Sequence, residues 1–351
     1  MVTPSQKQQK ILAILLEKEI SQSSSVHAEM IKKGENISLV TVKRTLSEMA
    51  STGILDATGQ GRRTSYTVSA IGRIFADIDP KKYCAAEPDR RYGMSRYNFD
   101  LFKNFPTDVF LDNELAILHN ATAEYEKRIQ NLPETIQKKE LERLIIELSW
   151  KSSKIEGNTY TLLDTEKLIM EHKEAAGHDK KEARMILNHK DAFNFIHDNH
   201  DKFRLLTLKN LEELHSILIK DLSVEFGLRK KPVGITGSKY QPLDNIYQIT
   251  EAINALCLAI SKIETPYAKA LIALLGIGYV QPFEDGNKRT GRLMANAILL
   301  AYGCAPLSYR SIDENEYREA ILVFYELNSV IPFKKIFIEQ YIFSANSYAV
   351  K

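Results

Sequence analysis

Gln281-Pro282-Phe283-Glu284-Asp285-Gly286-Asn287-Lys288-Arg289-Thr290-Gly291-Arg292 is the stretch that decides how the rest of the chain is read. It lies between two apolar segments, so it reads as a tight interhelical loop running into a helix N-terminus. Such a terminus offers free backbone N–H groups and a positive dipole end, a ready site for an anion. Gly286 lets backbone approach a ligand closely. Arg289 and Arg292, three apart, project from one side of the first helical turn. With Lys288 they suit a polyphosphate. Asp285 can hold a hard cation such as Mg²⁺ that bridges phosphate oxygens. Phe283, set between polar neighbours, reads as the anchor of the loop in the core. The bland alternative is a capped loop whose arginines pair with surface carboxylates; so many donors around one acid favour the phosphate site.

Outward from this loop the pattern is helical from about 111 to 345. Leu111 to Leu132 forms one helix, closed by Pro133. Glu134 to Glu156 forms another, with Leu141, Leu144, Ile145, Leu148 and Ile155 on one face and Gly157 as its stop. Thr161 and Asp164 resemble a capping box for the next helix. Thr265-Pro266 opens a helix reaching about Tyr279, and a further one runs from near Lys288 to before Gly303. Pro232 to Tyr240 is β-like and suggests a hairpin flap. Glu156, in the last turn of its helix, faces the negative dipole end and should seek a cation.

The central loop resembles the signature of Fic-domain proteins, His-Pro-Phe-x-Asp-Gly-Asn-Gly-Arg-x-x-Arg, and the resemblance covers roughly Glu134 to Tyr341. It implies a mainly α protein, a Fic-type helical bundle with a small β-hairpin flap. The activity it implies is AMP transfer from ATP, with Mg²⁺, to a Ser, Thr or Tyr hydroxyl of a target protein. By the same resemblance Asp285 is the metal ligand, Gly286, Asn287 and Arg289 hold the α- and β-phosphates beside Lys288, and Arg292 reaches the γ-phosphate. The flap, Val233 to Pro242 with Gly237, Ser238 and Lys239 at its tip, would hold the target as an added strand. Tyr317 is a weaker candidate for an adenine pocket. Ser152 to Gly157 resembles the family's inhibitory pattern [Ser/Thr]-x-x-x-Glu-[Gly/Asn], so that Ser152 and Glu156 would belong to an inhibitory helix, 134–157, and Glu156 would capture Arg292. Two positions depart from the family. Gln281 stands where a His acts as general base, and a carboxamide has no useful pKa for that work. Lys288 stands where Gly is usual; Doc toxins, a phosphorylating branch, also carry Lys there, though with Ala at the position of Gly286. The alternative to a transferase is therefore an ATP-binding pseudoenzyme that acts as a regulator.

Residues 1–75 read as a separate unit. Ile11, Leu12, Leu15 and Leu16 mark a first helix, Val26, Met30 and Ile31 a second, and Ser38 caps a third running to about Ser51 with Val42, Leu46 and Met49 inward. A hairpin follows, Ile54–Ala57 and Thr64–Val68 around Gly59–Gly61. This is the order of a winged helix-turn-helix. Thr41, Lys43 and Arg44 on the third helix, with Arg62 and Arg63 at the hairpin tip, could meet a DNA backbone. Residues 76–133 read as linker and packing helix, and 134–345 as the Fic-like domain. The chain has 351 residues and a net charge of +2. Residues 1–75 hold ten basic and six acidic side chains, leaving 37 against 39 in the remainder, so near-neutrality hides a basic N-terminal unit. Three separated cysteines, Cys84, Cys257 and Cys304, fit a reducing cytoplasm and no disulfide framework. Met1 to Lys10 lacks the apolar core of a signal peptide. No apolar run approaches the ~20 residues of a membrane helix. His197 and His200 read as solvated or capping residues rather than metal ligands. A homodimer paired through helices is a further expectation of the resemblance.

Overall fold

The structure is a computed structural model that describes residues 3–130 and 132–350, with the backbone alone at Arg62. The chain divides into two compact units. The first gathers Met1–Leu111, Ile235–Gln241 and Asn315–Lys335; the second comprises Asp112–Gly234, Pro242–Glu314 and Ile336–Lys351.

The first unit begins with α1 (Gln6–Lys18), β1 (Ser21–Gln22), α2 (Ser23–Lys32) and α3 (Leu39–Ser51), followed by β2 (Leu55–Thr58) and β3 (Ser65–Val68). Local chemistry sets the helix starts. Ser5 closes a full capping box with Gln8, and the Ser38 hydroxyl accepts from the Thr41 N–H, as the sequence predicts. Three short strands form an antiparallel sheet in the order β1-β3-β2, with Leu55 opposite Val68 and Thr58 opposite Ser65. Ile11, Leu12, Leu15, Val26, Met30, Val42, Leu46 and Met49 are all buried under it, each contributing about 1.5–3 kcal/mol of burial. Ile31, expected inward, is 48% exposed: it sits in the last turn of α2, one step past the Val26–Met30 face.

Residues 76–111 are part of this unit. They follow α4 (Ala70–Ile74) and carry α5 (Pro80–Cys84), and they pack on residues from α14 (Glu314–Leu327) and the start of α15 (Ile331–Ser347). The Val330 N–H donates to the Ile74 carbonyl at 3.0 Å, and Lys335 pairs with Asp77 at 2.6 Å. Pro232 to Tyr240, expected as a hairpin, contains no strand. Gly237 turns the chain at φ 77°, and the Ser238 N–H closes a local turn on the Ile235 carbonyl at 3.2 Å. The one bridge in this stretch joins Gln241 to Arg96, in parallel. A hairpin needs its second arm in the same segment; here the partner comes from elsewhere in the chain.

The second unit is helical: α6 (Asp112–Gln130), α7 (Glu134–Ile155), α8 (Leu162–Glu171), α9 (Lys180–Asp198), α10 (Leu208–Leu218), α11 (Ile246–Lys262), α12 (Pro266–Val280), α13 (Asn287–Ala301) and the remainder of α15. Thr161–Asp164 and Thr265–Pro266 open their helices as the sequence predicts, and Pro133, expected to close the preceding helix, stands at the N-cap of α7. Every residue of α12 from Tyr267 to Val280 is buried, as befits a helix apolar all round. Helix α13 comes so close to it that a Cβ on Gly291 would meet the Leu274 carbonyl oxygen at 2.9 Å. No described helix is long and apolar enough to cross a membrane.

Candidate functional site

Helix α12 ends at Gln281, which adopts the left-handed conformation at φ 50°, and α13 begins after Gly286 at φ 80°. The intervening turn is tied to its own helix. The Asn287 carboxamide accepts from the Phe283 N–H at 2.8 Å and donates to the Phe283 carbonyl at 2.8 Å. It also donates to Gln281 Oε1 at 2.9 Å, while Gln281 Nε2 donates to the Gly278 carbonyl at 2.6 Å. Both ends of the Gln281 side chain are therefore engaged, and the residue is 7% exposed.

Two residues outside the loop hold it. The His215 ring lies flat on the fully buried Phe283 ring, with centroids 3.7 Å apart and planes 4° off parallel. Its Nε2 meets the Asp285 carbonyl at 2.9 Å, so that nitrogen carries the proton. Burial pushes its pKa down to about 4, and the ring is neutral at physiological pH. Arg229, 3% exposed, donates from Nε to the Gln281 carbonyl at 2.6 Å and from its backbone N–H to the Pro282 carbonyl at 2.9 Å. Its other nitrogens reach the carbonyls of Lys231 and Leu243. The sequence reading did not single out either residue. His215 sits on the Leu211–Leu214–Leu218 face of α10 and reads as a core histidine; Arg229 lies in an irregular loop with no periodicity to flag it.

No side chain caps the start of α13, as at α2 and α7, whereas Ser5, Ser38, Thr161, Asp179, Thr207, Asn245 and Thr265 cap theirs. Its first N–H groups remain for a ligand. Asp285 accepts from the Gly286 N–H at 2.6 Å and from Arg289 Nη2 at 3.0 Å, with its side chain 63% exposed. Arg289 is 2% exposed, and its Nη1 has no partner among the described residues. Burial lowers its pKa, against the pull of Asp285. A buried guanidinium nitrogen left open beside an uncapped helix start suits an anionic oxygen. Among the described residues no cluster of three His, Cys, Asp or Glu is present. A divalent cation at Asp285 would thus have one protein carboxylate, with phosphate and water completing its shell. That donor set fits Mg²⁺, which binds nucleotides through one or two carboxylates.

The last turn of α7 closes the other side. Arg292 is fully buried; its Nε donates to the Ser152 hydroxyl at 2.9 Å, Nη2 to the Ser152 carbonyl at 2.8 Å and Nη1 to Glu156 Oε1 at 2.9 Å. Lys288 Nζ reaches Glu156 Oε2 at 3.2 Å. Glu156 thus accepts from two cations. Burial would raise its pKa, but the attraction of Arg292 and then Lys288 outweighs that and holds it below the usual carboxylate range. Behind this pair His189 is fully buried, with Nε2 unpartnered among the described residues. Burial, reinforced by Arg292 and Arg289, drives its pKa well below the ordinary value.

The structure therefore brings together Glu156, Ser152, Gln281, Asp285, Gly286, Asn287, Lys288, Arg289 and Arg292 in the second unit. Tyr317 lies in the first unit, 1% exposed and edge-on to Phe333 at 5.1 Å, an enclosed core ring rather than an open stacking face. Gly237, Ser238 and Lys239 also belong to the first unit, and each bonds to Arg91 or Glu326 there. On α3, Lys43 and Arg44 are exposed and Thr41 is half-buried, its hydroxyl 2.9 Å from that of Ser38. Arg63 is exposed in the turn Gly61–Arg63; the side chain of Arg62 lies outside the described residues.

Residues 205–299 match the model of the Fic/DOC family. The protein adenylyltransferase Fic of Nematostella vectensis is 27% identical over 174 residues, 48% of this chain and 41% of that protein. That of Culex quinquefasciatus is 28% identical over 173 residues, 48% of this chain and 35% of that protein. The chain thus spans about two-fifths or less of the length of these curated relatives. Among solved structures, a Fic domain-containing signaling protein from Bacteroides thetaiotaomicron superposes with a TM-score of 0.56 at 21% identity, over 66% of this chain and 94% of that one. Fic-1 of C. elegans superposes at 0.55 and 21% identity, over 67% and 71%. The loop tied by Asn287, the uncapped start of α13 and the family match converge on the same stretch, and the chain carries a Fic domain.

Proposed function

We propose that the protein is a Fic-type protein adenylyltransferase, restrained by Glu156 and weakened by Gln281. The observation that carries this reading is the Glu156 carboxylate lying where Arg292 and Lys288 converge beside the uncapped start of α13. A carboxylate there stands in for a phosphate oxygen. With Glu156 displaced, Arg292, Lys288, Arg289 and the first N–H groups of α13 would bind ATP phosphates. Mg²⁺ held at Asp285 would neutralise their charge. In the transfer a target hydroxyl oxygen bonds to the α-phosphorus, the bond from that phosphorus to the bridging oxygen breaks, and pyrophosphate leaves. The hydroxyl proton needs an acceptor, and Gln281, spent on Gly278 and Asn287, is none.

That last observation favours a second reading, an ATP-binding pseudoenzyme. In it residues 1–75 act as a winged helix-turn-helix that binds DNA or a protein, with Lys43, Arg44 and Arg63 outward. A helix-paired homodimer is compatible with both readings and is read by light scattering. The deciding experiment incubates wild type, Glu156→Gly, Gln281→His and the double variant with protein targets and either α- or γ-labelled ATP. Transfer of α-label, strongest in the double variant, supports the first reading. ATP binding without transfer by any variant supports the second, and γ-label transfer identifies a kinase instead. ATP binding by none of them overturns the phosphate site itself.

A further inference from the structure

The candidate flap is already bridged by another segment, and that segment belongs to this chain. The Gln241 N–H donates to the Ser95 carbonyl at 2.9 Å, and Arg96 bridges Gln241 in parallel. Lys239 Nζ donates to the Arg91 carbonyl at 2.5 Å, and Arg91 Nη1 donates to the Gly237 carbonyl at 3.0 Å. Both faces of this pairing meet at Glu326, whose side chain is fully buried. Its carboxylate accepts from Arg91 Nη1 at 3.2 Å, from the Ser238 hydroxyl at 2.8 Å and from the Tyr83 hydroxyl at 2.8 Å. Its backbone carbonyl accepts from the Met94 N–H at 2.7 Å. Gly93, at φ 106°, fits over that carbonyl only because it lacks a Cβ, which would stand 2.6 Å from the oxygen.

The chemistry of this arrangement is that of peptide capture. Exposed main-chain groups of one segment take an extended partner by backbone bonds, and one buried side-chain pocket selects a residue on it. Here the selecting group is a carboxylate, and a buried carboxylate accepts only a partner that supplies a cation or several donors. Arg91 supplies it. Ser95 and Arg96 themselves are exposed, so the resident segment lies along the surface with one buried anchor, as a docked peptide does.

We propose that residues 91–96 are an intrachain stand-in for the target strand, and that segment 237–241 binds an extended peptide carrying an arginine that reaches Glu326. This rests on reading residues 233–242 as the target-holding flap, and it adds the recognition element. A target must displace the chain's own segment, so targets compete with residues 91–96, and a basic residue is what makes them competitive.

The test uses the full chain and a fluorescent synthetic peptide of residues 88–98, with binding followed by anisotropy. Gly93→Val dislodges the resident segment while leaving Arg91, Glu326 and the flap intact. The expected result is at least tenfold tighter binding to Gly93→Val than to wild type, lost when the peptide's arginine matching Arg91 is replaced by alanine. Equal binding to both chains, or binding indifferent to that arginine, overturns the proposal. If Gly93→Val does not fold, Met94→Pro, which removes the N–H bonded to Glu326 and restricts the backbone at 93 and 94, is read in its place by the same criteria. The measurement needs no nucleotide. Loss of peptide binding alongside intact AMP transfer sinks this inference alone, and the reverse sinks only the transferase reading.

Discussion

Arg292 Nη1 lies 2.9 Å from Glu156 Oε1, across 136 positions of sequence, with the guanidinium fully buried and the carboxylate shared with Lys288. A buried cation held this way depends on its partner, because removing one member leaves the other charge desolvated and uncompensated.

Glu156→Gly should therefore lower the melting temperature in the absence of nucleotide, by the equivalent of about 3 kcal/mol. ATP should restore it, since phosphate oxygens replace the lost carboxylate. Differential scanning fluorimetry with and without ATP reads both effects. A variant as stable as wild type and unresponsive to ATP would remove the basis for the restraint.

Lys288→Met should loosen the same lock less. The Lys288 side chain is 35% exposed, and partly solvated pairs contribute up to about 1 kcal/mol. Apparent ATP affinity should then change by less than about fivefold, against a larger gain for Glu156→Gly. Isothermal titration of the two variants side by side checks the ordering.

Gln281→His should raise AMP transfer by roughly 10²–10⁴ over the Gln281 chain, the usual worth of a positioned base. The gain should be largest in the Glu156→Gly background. Gln281→Ala should give no such gain and should release the Asn287 carboxamide that it now receives. Single-turnover transfer of α-label distinguishes the two.

Acid should destabilise the protein through three groups, His189, His215 and Glu156. His189 resists protonation when folded, so the unfolded chain binds protons first and stability falls as pH drops below about 6.5. The slope is at most about 1.4 kcal/mol per pH unit for this site. Glu156 is held below the ordinary carboxylate value, so its contribution persists until pH falls through that lowered value. His189→Gln should reduce the slope of the melting-temperature profile between about pH 6.5 and 5, with His215, lowered to about 4, supplying the rest, and leave the loss at lower pH. An unchanged profile would mean that His189 already titrates normally in the folded state.

Arg229→Met should loosen the loop without touching ligand. It removes donors from the carbonyls of Gln281, Lys231 and Leu243, each a charge-assisted bond worth roughly 1.5–3 kcal/mol. Proteolysis near residues 281–286 should quicken, and nucleotide affinity should fall with overall helicity retained by circular dichroism.

What the sequence revealed follows the range of the interaction responsible. Caps such as Ser38, Thr161 with Asp164, and Thr265 before Pro266 are local, and the residues that make them are neighbours in the chain. The Glu156–Arg292 contact spans most of the second unit and became visible only through two motifs of known relationship. The flap's missing hairpin and the Arg91–Glu326 pair had no such aid. Arg91 sits in Asp89-Arg90-Arg91-Tyr92-Gly93, a run without periodicity. Its role depends on a carboxylate 235 positions away, and no local pattern encodes that meeting.

The same separation bears on how the protein is made. The first unit is assembled from three stretches, the last ending at Lys335. The sheet and helices of its first 75 residues can close early, but Arg91 has no carboxylate until Glu326 emerges. At ~5–20 residues per second of synthesis that wait is roughly ten seconds to a minute. During it, segment 91–96 has at most residues 237–241 to hold it and lacks its buried anchor. It is open to chaperones and proteases, so the unit that begins at the N-terminus is among the last to be completed.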